Sequence, residues 1–169
     1  MSRTPSKVDP LQQVLAQVKL ESRNEDLTGL TEADLMALAE GLWTWASDVA
    51  PDTQDARVLR DPAGAKGSLS RSILEAVGPD MPFLVDSLLA ECAAAGHEVK
   101  ALFHPIVNMP DGRVLSVIQV HLPPMTPAES SRLTKGVRTT LTDTRQVVTD
   151  FEPMKARMRA EIKVIAALK

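Results

Sequence analysis

Three histidines are the residues whose types could most directly ligate a metal ion: His97, His104 and His121. If the turn between the last two closes a hairpin, His104 lies opposite a residue near Val117 and His121 opposite one near Lys100. The two imidazoles are then well apart along the ladder, and no cysteine or acidic cluster completes a tetrahedral set. We therefore interpret them as half-buried strand histidines and predict no metal site.

The single cysteine, Cys92, could act as a nucleophile only beside a base and in an electropositive setting. It falls on the apolar stripe of a predicted helix, where a thiol behaves as a small hydrophobic side chain. The basic face formed by Arg132, Lys135 and Arg138 has acidic neighbours and is typical of a solvated helix surface, not of a phosphate site. The sequence therefore predicts no catalytic residue.

The candidate ligand-binding site is the turn formed by Gly78, Pro79, Asp80 and Met81, which joins a predicted strand to a predicted helix. The exposed N–H groups at a helix N-terminus favour an anion such as a carboxylate. Asp80 is placed to cap that helix, with Pro82 in its first turn. The alternative is that Asp80 only caps the helix and the loop binds nothing. Its carboxylate repels a free carboxylate but could take an ammonium group.

The elements that position this turn follow from hydrophobic periodicity and turn signals. From residue 70 onward the pattern predicts the order β-α-β-β-α-β, with strands at 70–77, 98–108, 114–122 and 146–149 and helices at 83–95 and from 127. Such an order folds as a split βαβ, a four-stranded antiparallel sheet with two helices on one face. The predicted fold class is therefore α+β and ferredoxin-like.

Further helices flank this unit on both sides. We predict a flexible polar tail at 1–8, an N-terminal helical hairpin at 9–48, a connector at 49–69, the sheet domain at 70–149 and a C-terminal helix at 150–169. Thr31 and Asp34 form a capping box in the hairpin, and the connector carries one strand-like segment at 57–59. The C-terminal helix has a full apolar stripe at Phe151 or Met154, Met158, Ile162, Ile165 and Leu168. With no cap after it, the sequence resembles a piece of a longer chain.

Composition narrows the class of protein without indicating a chemistry. An apolar content of 44% over 169 residues excludes a wholly disordered chain, and a net charge of −3 provides no basic field for nucleic acid. An aromatic content of 3% argues against base stacking, and no apolar run is long enough to cross a bilayer. With its lone cysteine the chain fits a reducing compartment, and we expect a cytoplasmic protein.

The strand order and the D-x-P turn before the first helix resemble an ACT domain, the small-molecule-sensing module of amino-acid metabolism. The match is sharpest over the strings DMPFLVDS at 80–87, FHPIV at 103–107 and IQVHL at 118–122. Together these strings resemble the N-terminal region of the large bacterial NAD-specific glutamate dehydrogenases. The segments NEDL at 24–27 and EADL at 32–35 also look like the helical lead-in of that family.

The resemblance implies a non-catalytic domain of a large oxidoreductase that deaminates glutamate to 2-oxoglutarate with NAD. Members of the family are several times longer than this chain and carry ACT-like domains first and the dehydrogenase domain far downstream. The catalytic residues and the NAD site then belong to the rest of the parent enzyme, and we expect no cofactor in this chain. The segment 64–67 agrees, because it matches neither the dinucleotide fingerprint nor the P-loop.

Three roles remain open from the sequence. The first is regulation or assembly within the parent enzyme, with the remaining domains as partners and self-association through sheet or helix faces. The second is a free-standing regulator that binds an amino-acid effector, for which ACT domains use the loop equivalent to 78–81. The third is an interaction module without a ligand. We expect neither a nucleic-acid nor a membrane partner.

Overall fold

The computed structural model describes residues 8–25, 27–64 and 67–167, so residues 1–7 of the predicted tail and Leu168 lie outside the described part. The described part contains four α-helices and seven strands. They are α1 (Pro10–Glu21) with a 3₁₀ turn (Ser22–Asn24), α2 (Glu32–Asp48), β1 (Asp55–Arg60), β2 (Ala63–Gly64), β3 (Gly67–Ser68), β4 (Ser72–Pro79), α3 (Leu84–Ala94), β5 (Ala101–Phe103), β6 (Ile106–Asn108), β7 (Val114–Leu122) and α4 (Pro127–Ala167).

One antiparallel sheet organises the structure. Its order is β1-β4-β7-β5, and β6 continues the line of β5 along β7. The two central strands pair over their whole length, from Ser72 opposite Leu122 to Pro79 opposite Leu115. The short strands β2 and β3 form a separate two-stranded ribbon. This mixed α/β architecture with an antiparallel sheet is consistent with an ACT-like domain.

Helices cover both faces of the sheet, because alternate residues of β4 and β7 are buried on opposite sides. Helices α3 and α4 cover one face, where Leu88 and Leu133 pack with Leu74 and Ile118. Helices α1 and α2 cover the other face in a second core, made by Val14, Val18, Leu35, Leu42, Val77, Phe103 and Val117. The N-terminal hairpin therefore packs on its own sheet.

The predicted strand at 146–149 is wrong, because these residues continue α4. Its sequence Gln-Val-Val-Thr favours a strand locally, but the edge position beside β4 is already occupied by β1. The predicted helix start at Pro153 is also wrong, since the helix passes through this proline without a break in its assignment. Tertiary context has overridden both local signals.

The strand-like segment at 57–59 is confirmed and is longer than predicted. Strand β1 spans six residues of the predicted connector and pairs with β4 from Asp55 opposite Val77 to Arg60 opposite Ser72. It lies where a split βαβ would place its last strand. The predicted connector at 49–69 therefore contains a strand of the main sheet, and the predicted limit at 149 falls within α4. The division of the chain into folding units stays a prediction.

The capping signals of the other elements and the predicted strand at 98–108 agree more closely with the structure. The capping box of α2 is present, since the Thr31 hydroxyl accepts from the Asp34 N–H and the Asp34 carboxylate accepts from the Thr31 N–H. The equivalent pair of Thr126 and Glu129 begins α4. The predicted strand at 98–108 is divided into β5 and β6 at Pro105, whose carbonyl still accepts a bond from the Val117 N–H.

Candidate functional site

The predicted binding turn begins inside the sheet. Gly78 and Pro79 are the last residues of β4 and lie opposite Ser116 and Leu115 of β7. The Asp80 N–H then donates to the Val114 carbonyl at 2.9 Å, so the backbone stays tied to β7 through this residue. The first half of the turn is therefore held rigidly, and only the residues after it lead into α3.

The prediction that Asp80 caps α3 is wrong. The helix begins at Leu84, its N-cap position is Phe83 in a left-handed conformation (φ 68°), and no side chain caps it. The cause is distance along the chain, because Met81 and Pro82 separate Asp80 from the helix. The Asp80 carboxylate accepts instead from the Ser116 hydroxyl at 2.7 Å.

Asp80, Ser116 and His104 form a hydrogen-bonded row at the end of the sheet. His104 Nε2 lies 3.0 Å from Ser116 Oγ. Because the single hydroxyl proton is donated to Asp80, His104 must donate its own Nε2 proton to Ser116. This is the reverse of a hydrolase triad, in which histidine accepts the serine proton. Burial lowers the pKa of His104, and the negative charge of Asp80 opposes the shift only in part.

Gln54 covers the glycine of the turn. A Cβ atom on Gly78 would lie 2.6 Å from Gln54 Cγ, which is closer than side chains pack, so glycine is required here. The Gln54 amide also reaches Met81 Sδ at 3.9 Å. Of the four predicted site residues, Asp80 is thus joined to Ser116 and His104, while Gly78 and Met81 lie against Gln54.

A second polar row crosses the sheet under α2, and sequence reasoning missed it. Arg57 donates to Glu75 Oε2 at 2.6 Å, and Gln119 donates to Glu75 Oε1 at 2.9 Å. His121 Nε2 lies 3.0 Å from Gln119 Oε1, and Arg71 donates to His121 Nδ1 at 3.2 Å. The available signal was Glu75 within the apolar run 73–77, together with Gln119 and His121 two positions apart in a mostly apolar strand.

The direction of each bond in this row follows from the chemistry of its members. Gln119 Oε1 can only accept, so His121 carries its proton on Nε2 and accepts at Nδ1. Burial, and to a smaller extent the charge of Arg71, lowers the pKa of His121 to about 3, so the ring is neutral. Burial raises the pKa of Glu75, against the opposing effect of Arg57. A buried row with every member bonded stabilises one arrangement of the strands.

The remaining reactive residues lie apart. His121 is paired with Ala101 and its carbonyl accepts from Lys100, which confirms the predicted hairpin register. Over residues 8–25, 27–64 and 67–167, no three His, Cys, Asp or Glu side chains are grouped as metal ligands. Cys92 lies on the buried side of α3 and is fully buried, and burial together with Glu91 raises the pKa of its thiol to about 11. A protonated, enclosed thiol is a poor nucleophile.

The antiparallel sheet, with α3 and α4 on one face and a turn leading into α3, is consistent with the class of ACT-like domains. The model of the family described as glutamate dehydrogenase, ACT1 domain, matches residues 12–141, and the chain belongs to this family. The predicted resemblance is therefore confirmed.

A curated relative agrees with this assignment. The chain is 26% identical over 164 residues to the NAD-specific glutamate dehydrogenase of Halomonas elongata. The alignment covers 85% of this chain and 10% of that protein, so the chain spans about a tenth of its relative's length.

In the described part of the chain, no helix combines the length and apolarity that crossing a membrane requires.

Proposed function

We propose that this chain is a non-catalytic regulatory and assembly domain in the N-terminal region of a large NAD-dependent glutamate dehydrogenase. The family and the printed name of the relative support the parent reaction, which is oxidative deamination of glutamate to 2-oxoglutarate and ammonia with NAD as cofactor. The small share of the relative that is matched supports placing the dehydrogenase chemistry elsewhere in the parent polypeptide. A cytoplasmic location is part of the same proposal.

The observation that carries an assembly role is an apolar stripe on the second half of α4. Its members are between 48% and 62% exposed and comprise Val147, Phe151, Met154, Met158, Ile162 and Ile165. The first half of the same helix buries Leu133, Val137 and Leu141 against α3 and the sheet. The stripe continues the buried side of the helix, and the segment from residue 147 to residue 165 that carries it is about 27 Å long. An exposed apolar surface of this kind is typical of an interaction site.

The stripe fits a helix from the remaining domains of the parent enzyme. Its residues repeat every eleven positions, as Phe151 and Ile162 do, and this spacing keeps an apolar line nearly parallel to a helix axis. Asp150, Arg157 and Glu161 lie along one flank of the stripe, so its charge is mixed, and Lys155 and Arg159 lie along the other. A helix that docks here is expected to carry acidic residues toward the second flank.

The assembly role is tested by placing a charge on the stripe of the parent enzyme. Ile162→Asp should impair oligomer formation or lower the stability of the assembled enzyme, because it puts a carboxylate into an apolar contact. The matched control is Ala160→Asp, an exposed position on the opposite side of α4. Equal assembly and equal activity of the two variants would exclude a docking role for the stripe.

Binding of an amino-acid effector at Gly78, Pro79, Asp80 and Met81 remains a proposal. It is favoured by the exposed carboxylate of Asp80, which could take an ammonium group, while the N–H groups of the first turn of α3 favour the carboxylate of the same amino acid. Calorimetric titration of the chain with amino acids tests it, with Asp80→Asn as the variant expected to lose binding. If no amino acid binds, the free-standing regulator is excluded and the interaction module without a ligand remains.

We infer that the ACT-like unit is a variant split βαβ whose edge strand comes from β1.

A further inference from the structure

A small cleft lies between the end of α1 and the start of α2. Its volume is about 250 Å³, below the range of about 300–1,000 Å³ that is typical of sites for drug-sized ligands, so it suits a small molecule. Its apolar lining residues are half-buried or, in one case, fully buried, and they are Leu27, Leu30, Leu35 and Met36. They therefore form the inner wall of the cleft.

The charged residues that line the cleft are exposed and lie at its opening. Lys19 donates to Glu32 at 2.6 Å, and this ion pair joins α1 to α2. Arg23 has no hydrogen-bond or ion-pair partner among the described residues. Because Lys19 and Glu32 offset each other, two cations against one anion leave the opening with a net positive charge at Arg23.

Contacts on both sides of the opening hold the cleft in place. Two positions before and after Arg23, the Glu21 and Glu25 carboxylates accept from the N–H groups of His104 at 2.8 Å and Leu102 at 3.2 Å. The 3₁₀ turn that carries Arg23 is therefore anchored to the sheet edge at both ends, while the Arg23 side chain stays exposed. The capping box fixes the start of α2 on the opposite side. A preformed cleft loses less entropy when a ligand binds.

The two parts of the cleft define the chemistry of a ligand. A carboxylate at the opening forms charge-assisted hydrogen bonds with Arg23, and a guanidinium group can make such bonds in pairs. An aliphatic chain attached to the carboxylate then leaves water for the apolar inner wall, where the unbranched Met36 adapts to its shape. The net positive charge of the opening disfavours a cation. It also disfavours a zwitterion, because the Glu32 carboxylate already accepts from Lys19.

We propose that the cleft between α1 and α2 is a binding site for a short aliphatic carboxylate. Arg23 holds the carboxylate, and Leu27, Leu30 and Met36 hold the chain. The ligand contacts residues of both helices, so its binding stabilises the N-terminal hairpin in the packed arrangement. This site is separate from the turn at 78–81 and from the α4 stripe.

The apolar wall is tested by calorimetric titration of the 169-residue chain with unbranched carboxylates from acetate to hexanoate. Each added methylene should tighten binding about fourfold until the cleft is filled, because each one is transferred from water to an apolar surface. An affinity that stays constant along the series would overturn the role of the wall. No binding of hexanoate would overturn the site itself.

Two analogues of hexanoate test the charge of the opening. Hexylamine replaces the carboxylate by an ammonium group and should bind far more weakly than hexanoate. Norleucine keeps the carboxylate and the chain but adds an ammonium group, so it should also bind more weakly. Equal or tighter binding of either analogue would overturn the assignment of a monoanionic ligand.

The location of the site is tested by removing one charge. Arg23→Gln should weaken hexanoate binding about tenfold or more, because it removes charge-assisted hydrogen bonds. The matched control is Arg132→Gln, an exposed position on α4 with the same change in net charge, which should leave the affinity unchanged. Hexanoate should shift the amide resonances of Leu27, Leu30 and Met36. Equal affinity of the two variants, or resonance shifts confined to other segments, would overturn this placement.

Discussion

At the scale of single residues, the polar groups inside the sheet determine how stability depends on pH. His121 is fully buried and neutral, with Gln119 as acceptor and Arg71 as donor. Its pKa is lowered to about 3 in the folded chain, whereas an unfolded histidine titrates near 6.5. The unfolded state therefore binds more protons below about pH 6.5, and the contribution of His121 to stability is lost as the pH falls from there toward 3.

The predicted loss of stability with falling pH can be measured directly. The free energy of unfolding should decrease by about 2 kcal/mol between pH 7 and pH 5 through His121 alone, because each pH unit below its unfolded pKa corresponds to about 1.4 kcal/mol. His121→Gln should have a shallower pH dependence over the same interval. Chemical denaturation of the two chains across this range provides the comparison. Parallel curves would show that His121 is charged or exposed in the folded chain.

The close contact above Gly78 leads to a second prediction at this scale. Gly78→Ala should destabilise the chain by about 1–3 kcal/mol, the usual cost of inserting a carbon into a packed position. Gln54→Ala should relieve most of this loss in the double variant, because Gln54 Cγ is the atom that the new Cβ meets. A double-mutant cycle of melting measurements tests the pair. Additive losses would contradict the contact.

At the scale of elements, helices α2 and α3 begin by different means. The Thr31 and Asp34 side chains cap α2 in both directions, whereas α3 begins after the uncapped, left-handed Phe83. Thr31→Ala should therefore cost about 1 kcal/mol of stability, and Asp80→Ala should not cost stability through the loss of a cap. Thermal melts of the two variants check this. A loss from Thr31→Ala well below that of a typical cap would place the start of α2 elsewhere.

The buried side of α3 makes the larger energetic contribution. Leu88 is fully buried between α3, α4 and the sheet, so Leu88→Ala should cost roughly 2–5 kcal/mol through lost contacts and a residual cavity. The exposed neighbour Ala90 provides a control, since Ala90→Ser should stay within about 0.5 kcal/mol. Equilibrium unfolding measures both. Similar losses would mean that the helix presents a different face to the sheet.

The elements also show how much of the fold local sequence signals can predict. The helical periods of α2 and α3, the turn before β7 and the Thr126 capping box all lie where their sequence predicts. The strand predicted at 146–149 is wrong because its β-branched residues express only a local preference, while the position beside β4 on the side away from β7 is taken by β1. The Asp80 cap failed because Met81 and Pro82 separate it from α3, and its carboxylate accepts from Ser116 of another strand instead.

At the scale of the whole molecule, the two halves of α4 have different surroundings. The first half packs on the domain, and the second half extends its apolar side without a described contact to the core. Truncation after Asp150 should therefore leave the melting temperature of the remaining domain nearly unchanged, because the apolar side chains described beyond it, from Phe151 to Ile165, are exposed. A large drop would show that the stripe folds back onto the domain. Differential scanning calorimetry of both chains decides between these outcomes.

The sequence by itself determined α1, α2, α3 and the start of α4, the β5–β7 hairpin register and the kinship to glutamate dehydrogenases, because periods, turns and motif strings are local properties. Only the tertiary structure decided that β1 completes the sheet, that α1 closes the opposite edge, and that Asp80 turns to Ser116 and His104. These three features depend on which residues from distant segments meet. A bond such as that between Gln17 and Ile106 joins residues far apart in sequence, so no local pattern could indicate it.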